Sequence, residues 1–450
     1  MQSMTIKEIA QACGGRIIGE PSLCDVQIRG IKIDSRKVEA GDLFVAVKGE
    51  NLDGHDYIDS AIANGATCVV SEKPLGELPH ILVESTFAAL KSIAEYYRSL
   101  FDVKVIGITG SVGKTTAKEM LYSVLSQKYN VLKTQGNFNN EFGLPQTIFN
   151  IDKDHDIAVI EMGMSETGEI SRLSKVARPD AALIINIGES HIGNLGSKDN
   201  IFKAKCEIFE YMDDGAPVFL NGDDELLATL ADKNPIYFGR QSSNDVSLEK
   251  IVSTDIKGTQ IVADLQGEKL ELFIPVPGEY MIYPTLAAVA IGKEFGLSNE
   301  QIARGVESFS PVSQRMNTIE TDKITIIDDA YNASKQSILA GAETLAYTSG
   351  RSVAIVGDVL ELGEFSESIH FEIGEQLGLA DIDCIICVGQ AAQYIMHGAS
   401  NTSRSSVYYY PSQKALFEDL DVLIDTGDTV FVKASRGMHF EEIVARLKAL

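Results

Sequence analysis

Residues 107–116 read Gly-Ile-Thr-Gly-Ser-Val-Gly-Lys-Thr-Thr. An apolar run from Val103 to Ile108 precedes this loop and has the character of a buried strand. Ala117 to Leu125 follows it with the apolar spacing of a helix. A chain that passes from strand to helix through a glycine turn points to a layered α/β fold. The same geometry has a chemical use. Glycines let backbone N–H groups approach an anion, and the helix start adds partial positive charge. Gly110, Ser111, Val112, Gly113, Lys114, Thr115 and Thr116 therefore form a candidate phosphate cradle. Lys114 can reach the outer phosphates and Thr115 can hold Mg²⁺. The full motif has a glycine at position 108, where this chain has Ile108, so the loop is a shortened Gly110-x-x-Gly113-Lys114-Thr115. The plain alternative is a glycine turn beside a chance lysine.

A length of 450 residues suggests about three domains. No apolar stretch approaches the ~20 residues of a membrane span, and the first residues lack a signal-peptide core. The expectation is a cytoplasmic protein with no membrane span. A net charge of −25 argues against a nucleic-acid partner. It also means that phosphates must be neutralised locally. The six cysteines are scattered, as suits a reducing compartment. Cys384-Ile-Ile-Cys387 has redox or zinc spacing, but it sits in an apolar strand pattern with no second ligand pair, and core packing is the reading adopted.

Residues 1–98 alternate short strands and helices, with a helix from Thr5 to Cys13 and a loop at Asp53–Asp56. Residues 99–313 repeat strand and helix at the spacing of a doubly wound, mostly parallel sheet, with strands expected at 103–108, 157–160, 181–187 and 217–220. A more β-like insertion is expected at about 236–276. Pro311 to Arg315 reads as a linker. Residues 314–450 form a third, Rossmann-like unit with strands at 324–328, 352–356, 384–388 and 429–432. The smaller N-terminal unit is also α/β.

Several segments could carry chemistry. Glu161 ends a buried strand beyond the glycine loop, where a Mg²⁺ ligand belongs, or where an ordinary capping carboxylate would sit. His191 follows another buried strand as a metal ligand, a base or a satisfied loop residue. Asn137, Asn139 and Asn140 form a run of side-chain amides, suited to neutral polar ligand groups or to loop turns. Asp328-Asp-Ala-Tyr-Asn332 puts acids at a strand end, with Arg315 before it. These would face a nucleotide in an interdomain cleft, or be surface charge.

Together with Asp34-Ser-Arg36, Gly49–His55, Lys203-Ala-Lys-Cys-Glu-Ile-Phe209, Gly357-Asp-Val-Leu-Glu-Leu-Gly363 and Lys433-Ala-Ser-Arg436, these segments resemble the Mur ligases. These are ATP-dependent enzymes that form amides in the peptide stem of the cell-wall precursor. The Asn-rich run, Asp-Asp-Ala-Tyr-Asn and Gly-Asp-x-x-Glu-Leu-Gly point within the family to joining D-alanyl-D-alanine to UDP-MurNAc-tripeptide.

The resemblance implies an ADP-forming acid–D-amino-acid ligase that works through an acyl phosphate. It implies catalytic roles for Lys114, His191 and Lys205. It implies two Mg²⁺ ions, one on Thr115 and Glu161, the other on His191 and a Lys205 carrying a carbamate. Arg315, Asp329 and Asn332 would approach the nucleotide. Ser35, Arg36, Asp53 and His55 would hold the uridine diphosphate, the Asn137–Asn140 run would bind substrate, and Lys433, Ser435 and Arg436 would lie near the dipeptide. Gly278-Glu-Tyr-Met-Ile-Tyr-Pro284 departs from the family's adenine segment at Tyr280 and Pro284, so base contacts are not carried over there. Rival readings are a ligase for another amine on the same scaffold, or a nucleotide-gated binding protein. A monomer is expected.

Overall fold

The computed structural model describes residues 1–49, 52–255, 257–348, 350–402 and 405–450. Glu50 and Asn51, inside the Gly49–His55 segment, lie outside the described residues.

The largest of the sheets has nine strands. Its order is Glu268–Ile274, Gly258–Leu265, Val246–Asp255, Ile236–Gly239, Val218–Asn221, Ala181–Ile184, Lys104–Thr109, Ile157–Glu161, Val131–Lys133. The run from Val246–Asp255 to Val131–Lys133 is parallel, and the last two strands at the other edge are antiparallel. Each residue of Ile157–Glu161 is buried, as a parallel strand covered on both faces requires. Neighbouring residues feed opposite cores. Ile106 and Ile108 pack with the helices Lys114–Leu125, Ile282–Glu294 and Asn299–Glu307, while Val105 joins the core under Gly143–Ile148 and Glu169–Ala177.

An N-terminal five-stranded sheet runs Arg16–Ile18, His80–Leu82, Cys68–Ser71, Asp42–Val45, Gly30–Lys32. The C-terminal six-stranded sheet runs Asn317–Glu320, Thr325–Asp328, Thr429–Lys433, Ser352–Gly357, Cys384–Val388, Ser406–Tyr410. Both are parallel apart from one edge strand each. Among the described residues no helix is long and apolar enough to cross a membrane.

Some expectations change. The strand expected at 181–187 stops at Ile184, because Asn186 turns its side chain to the glycine loop. The β-like insertion expected at 236–276 is present as strands that extend the central sheet. The expected loop at Asp53–Asp56 holds a 3₁₀ turn, Gly54–Tyr57, capped by Asp53. Helix Ile6–Cys13 starts from a Thr5–Glu8 capping box, as its sequence indicates. Cys384 and Cys387 lie fully buried in their strand, and burial pushes the Cys384 thiol up to about 11.

The helix Thr86–Arg98 joins the first sheet to the central one. Arg98, at its end, donates to the carbonyls of Ala177 (3.0 Å), Phe101 (2.9 Å) and Val103 (3.0 Å) and to Asp180 (3.2 Å). The central and C-terminal sheets are linked by residues 308–316, which form no helix or strand and include Gln314 and Met316 at positive φ.

Candidate active site

Lys104–Thr109, Ile157–Glu161 and Ala181–Ile184 are adjacent parallel strands, so their C-terminal ends lie side by side. That end of a parallel sheet is where ligands bind. A cavity of about 620 Å³ opens there, walled by the glycine loop on one side and by Asp329, Asn332 and Lys433 of the C-terminal sheet on the other.

The loop is braced from within. Asn186 Oδ1 accepts from the backbone N–H of Ser111 (3.1 Å) and Val112 (3.0 Å), and its Nδ2 donates to Val112 O (3.0 Å). Ser111 and Val112, expected to offer N–H groups to phosphate, have theirs committed. Gly113 takes φ +84°, a left-handed turn that favours glycine, and caps helix Lys114–Leu125. The N–H groups of the first helical residues, Lys114, Thr115 and Thr116, have no partner in the helix ladder and are available to an anion. The cradle is thus shorter than the motif suggests.

Glu161 is 2 % exposed and its two carboxylate oxygens are used separately. One accepts from Thr115 Oγ1 (3.1 Å), the other from Asn139 Nδ2 (2.8 Å). Lys118, 1 % exposed, sits 4.0 Å away and donates to Thr134 O (2.8 Å). A hydroxyl beside a buried carboxylate is a hard-oxygen donor set, which fits Mg²⁺. Asn140 caps the next turn through Phe142 and Gly143 N–H, and Asn137 lines the cavity.

Three basic groups meet beyond the loop. Lys114 Nζ donates to Gly110 O (2.7 Å), and burial pushes its ammonium below the usual lysine range. Lys205 is 3 % exposed, and its amine has no hydrogen bond or ion pair among the described residues. Burial, then the charge of Lys114, pushes its amine well below the usual lysine value. His191 Nδ1 lies 2.6 Å from Glu361 Oε2, with the ring turned off the line of an aligned hydrogen bond. Burial lowers the imidazole's proton affinity despite that carboxylate. Among the described residues no group of three His, Cys, Asp or Glu could hold a metal. An unmodified Lys205 ammonium offers no lone pair to a cation beside His191.

On the opposite wall, the Lys433 ammonium pairs with Asp329 and donates to Asn332 O (3.0 Å). Both charges are buried, and burial pushes the Asp329 carboxyl up and the Lys433 ammonium down. Lys433, expected beside the dipeptide, has its ammonium occupied within the wall. Lys433→Met leaves Asp329 unpaired and lowers stability by about 3–5 kcal/mol. A urea unfolding midpoint checks this, and adding Asp329→Asn restores most of the loss. Arg315 stacks over the Tyr331 ring at 4.2 Å. Arg436 N–H donates to Asn332 Oδ1 (3.2 Å), and Ser435 Oγ accepts from Leu360 N–H (2.9 Å). Ser435 and Arg436 border a second cavity of about 220 Å³, shared with Lys114 and His191.

Three family models match in turn: "Mur ligase family, catalytic domain" over residues 27–97, "Mur ligase middle domain" over 108–292 and "Mur ligase, glutamate ligase domain" over 314–436. The UDP-N-acetylmuramoyl-tripeptide--D-alanyl-D-alanine ligase of Bacillus subtilis (strain 168) is 37% identical, covering 99% of both chains. The chain belongs to the Mur ligase family. The Escherichia coli (strain K12) ligase of the same name is 32% identical over 100% of this chain and 99% of its own. A crystal structure of MurF from Acinetobacter baumannii superposes with a TM-score of 0.93 at 31% identity, covering both chains fully. MurF from Thermotoga maritima in complex with ADP gives 0.83 at 31% identity, over 94% of this chain and 97% of that one. As a Mur ligase, this protein is an ATP-dependent, ADP-forming enzyme.

The N-terminal residues of this Mur ligase lie apart from both cavities. Ser35 is buried and its carbonyl accepts from Asn64. Arg36 is exposed and paired with Asp34. Asp53 contacts His55 Nδ1 at 2.6 Å, while His55 Nε2 accepts from Glu72 N–H (3.1 Å). The His55 N–H bonds hold the Asp53 carboxyl down at about 2. Both His55 ring nitrogens are committed, so that ring fixes the turn instead of offering a nitrogen to a ligand.

Sequence reasoning gave no role to Asn186, Lys118 or Glu361, nor to the Tyr280 hydroxyl, which is buried in the large cavity without a partner. Lys118 carried a signal: it lies three residues after Thr115, on the same helix face.

Proposed function

We propose that this Mur ligase joins D-alanyl-D-alanine to UDP-MurNAc-tripeptide in the cytoplasm, as the last soluble peptide-adding step of peptidoglycan precursor synthesis. The observation that carries this is full-length likeness at 37% identity to a ligase of that name. The convergence of Lys114, Thr115, Glu161 and His191 on one cleft, with Lys205 buried within reach of the Lys114 charge, supports it.

ATP phosphorylates the terminal carboxylate of the tripeptide, and the dipeptide amine displaces phosphate from the acyl phosphate. The first step brings two anions together, so charge neutralisation dominates. Lys114 and the N–H groups of Thr115 and Thr116 bind the outer phosphates. Two Mg²⁺ ions would add positive charge, one held by Thr115 and Glu161, the other by His191 and carbamylated Lys205. Lys118 balances the charge of Glu161, and Asn139 orients it. Arg315, Asp329 and Asn332 shape the nucleotide wall, and Ser435 and Arg436 border the dipeptide side. Ser35, Arg36 and Asp53 belong to the uridine diphosphate segment, with the exposed Arg36 held by Asp34. The units 1–98, 99–313 and 314–450 each carry one main sheet, which supports that division. The working form is a monomer.

Purified protein given ATP, Mg²⁺ and UDP-MurNAc-tripeptide releases phosphate with D-alanyl-D-alanine, and not with a diamino acid or without an amine. Release driven by the diamino acid would transfer the reading to another stem ligase. No release with any amine removes it.

A further inference from the structure

The loop Asp358–Gly363 follows the strand Ser352–Gly357 and reaches the central unit. Hydrogen bonds within the C-terminal unit fix it. Val359 N–H donates to His370 Nε2 (2.9 Å), and His370 Nδ1 lies 2.6 Å from Ser366 O. Leu360 N–H donates to Ser435 Oγ (2.9 Å), and Ser435 N–H to Asp358 O (3.1 Å). The Asp358 carboxylate accepts from Gln390 N–H (3.0 Å) and Ala392 N–H (2.7 Å).

The loop's tip docks beside His191. Gly193 N–H donates to Glu361 O (3.2 Å), and a Cβ on Gly193 would meet that oxygen at 2.7 Å and Gly363 N at 2.8 Å. His191 (φ +62°) and Glu361 (φ +64°) are both left-handed without being glycine. Such conformations persist where the surroundings over-determine them. The side chains then approach to 2.6 Å, and a small turn of the ring brings Nδ1–H into line with the Glu361 carboxylate.

We infer that Glu361 is a positioning residue for His191, delivered by the C-terminal unit, so that the imidazole is set only when the two units are together. A carboxylate facing Nδ1 keeps the proton there and leaves the lone pair on Nε2. Lys114 and Lys205, the other groups acting on this ring, disfavour its charged form, and Glu361 is the carboxylate that meets it. The Glu361 side chain is 57% exposed, so the pair adds little stability and its effect is orientation. The inference rests on the reading that His191 works at the reacting phosphate.

The test compares Glu361→Ala and Glu361→Gln in two ways. Steady-state kinetics use ATP, Mg²⁺, UDP-MurNAc-tripeptide and D-alanyl-D-alanine. ¹⁵N-imidazole NMR uses the full chain with ATP, the His191 signal being assigned by its loss in His191→Asn. Glu361→Ala lowers kcat about 10- to 100-fold with KM for ATP unchanged. Glu361→Gln, whose side-chain oxygen still accepts, recovers most of kcat. The wild-type His191 signal is that of an Nδ1–H tautomer and moves toward Nε2–H in Glu361→Ala. An unmoved signal, or an unchanged kcat, overturns the inference. If wild type turns over no amine, the ligase reading fails, and the NMR signal alone decides the contact.

Discussion

Alanine in place of Lys114 abolishes ATP-dependent phosphate release, by about 10³-fold or more, while the protein stays folded. Two anions must meet for phosphate to pass to a carboxylate. Removing one preorganised charge-stabilising group from such a site costs about 3–4 kcal/mol, and more where water is excluded. Lys114 is such a group: its half-buried side chain lines the cleft, with the ammonium held 2.7 Å from Gly110 O. Stability is spared because its hydrogen bonds go to carbonyls of its own loop, so no carboxylate is left unpaired. Single-turnover phosphate release and a urea midpoint, measured together, separate the two effects. A rate within tenfold of wild type would remove Lys114 from its role.

The second large effect is at Lys205. Lys205→Ala and Lys205→Arg both lose turnover, again by about 10³-fold. An ammonium cannot bind Mg²⁺, and a permanently charged guanidinium cannot react with CO₂. Lys205 is prepared for that reaction, because burial and the charge of Lys114 favour its free amine. Amine and CO₂ form a carbamate with loss of a proton, which turns a cation into an oxygen-donating anion. Wild-type activity therefore falls in CO₂-depleted buffer and returns with bicarbonate, and ¹³C-bicarbonate gives a carbamate signal absent from Lys205→Ala. Full activity without CO₂ would sink the carbamate.

The parallel strands were legible because they are continuous apolar runs, and the glycine loop because its spacing is itself the mechanism. The strand at Ser406–Tyr410 escaped because it is only half-buried. Site residues that act through pairwise geometry were harder. His55 and Lys433 have the right chemistry for ligands, yet local partners consume them: Asp53 and the Glu72 N–H for one, Asp329 for the other. Asn186 and Glu361 become visible only once the chain brings distant segments together. Asn186 reaches a loop 74 residues before it. Nothing in local spacing encodes such contacts.

Arg98 commits its guanidinium to three carbonyls and one carboxylate, most of them across the joint between the first sheet and the central one. Such a joint is a rivet, since no small rotation satisfies all four acceptors at once. Among the described residues the other joint, 308–316, has no such guanidinium clasp and forms no helix or strand, though Met316 N–H and the Arg315 side chain hold its end to Asp329 and Tyr331. Bending, where it occurs, is therefore directed to the second joint. The first two sheets are held as one body, and the C-terminal sheet, joined to it by the plainer link, presents Glu361 to His191.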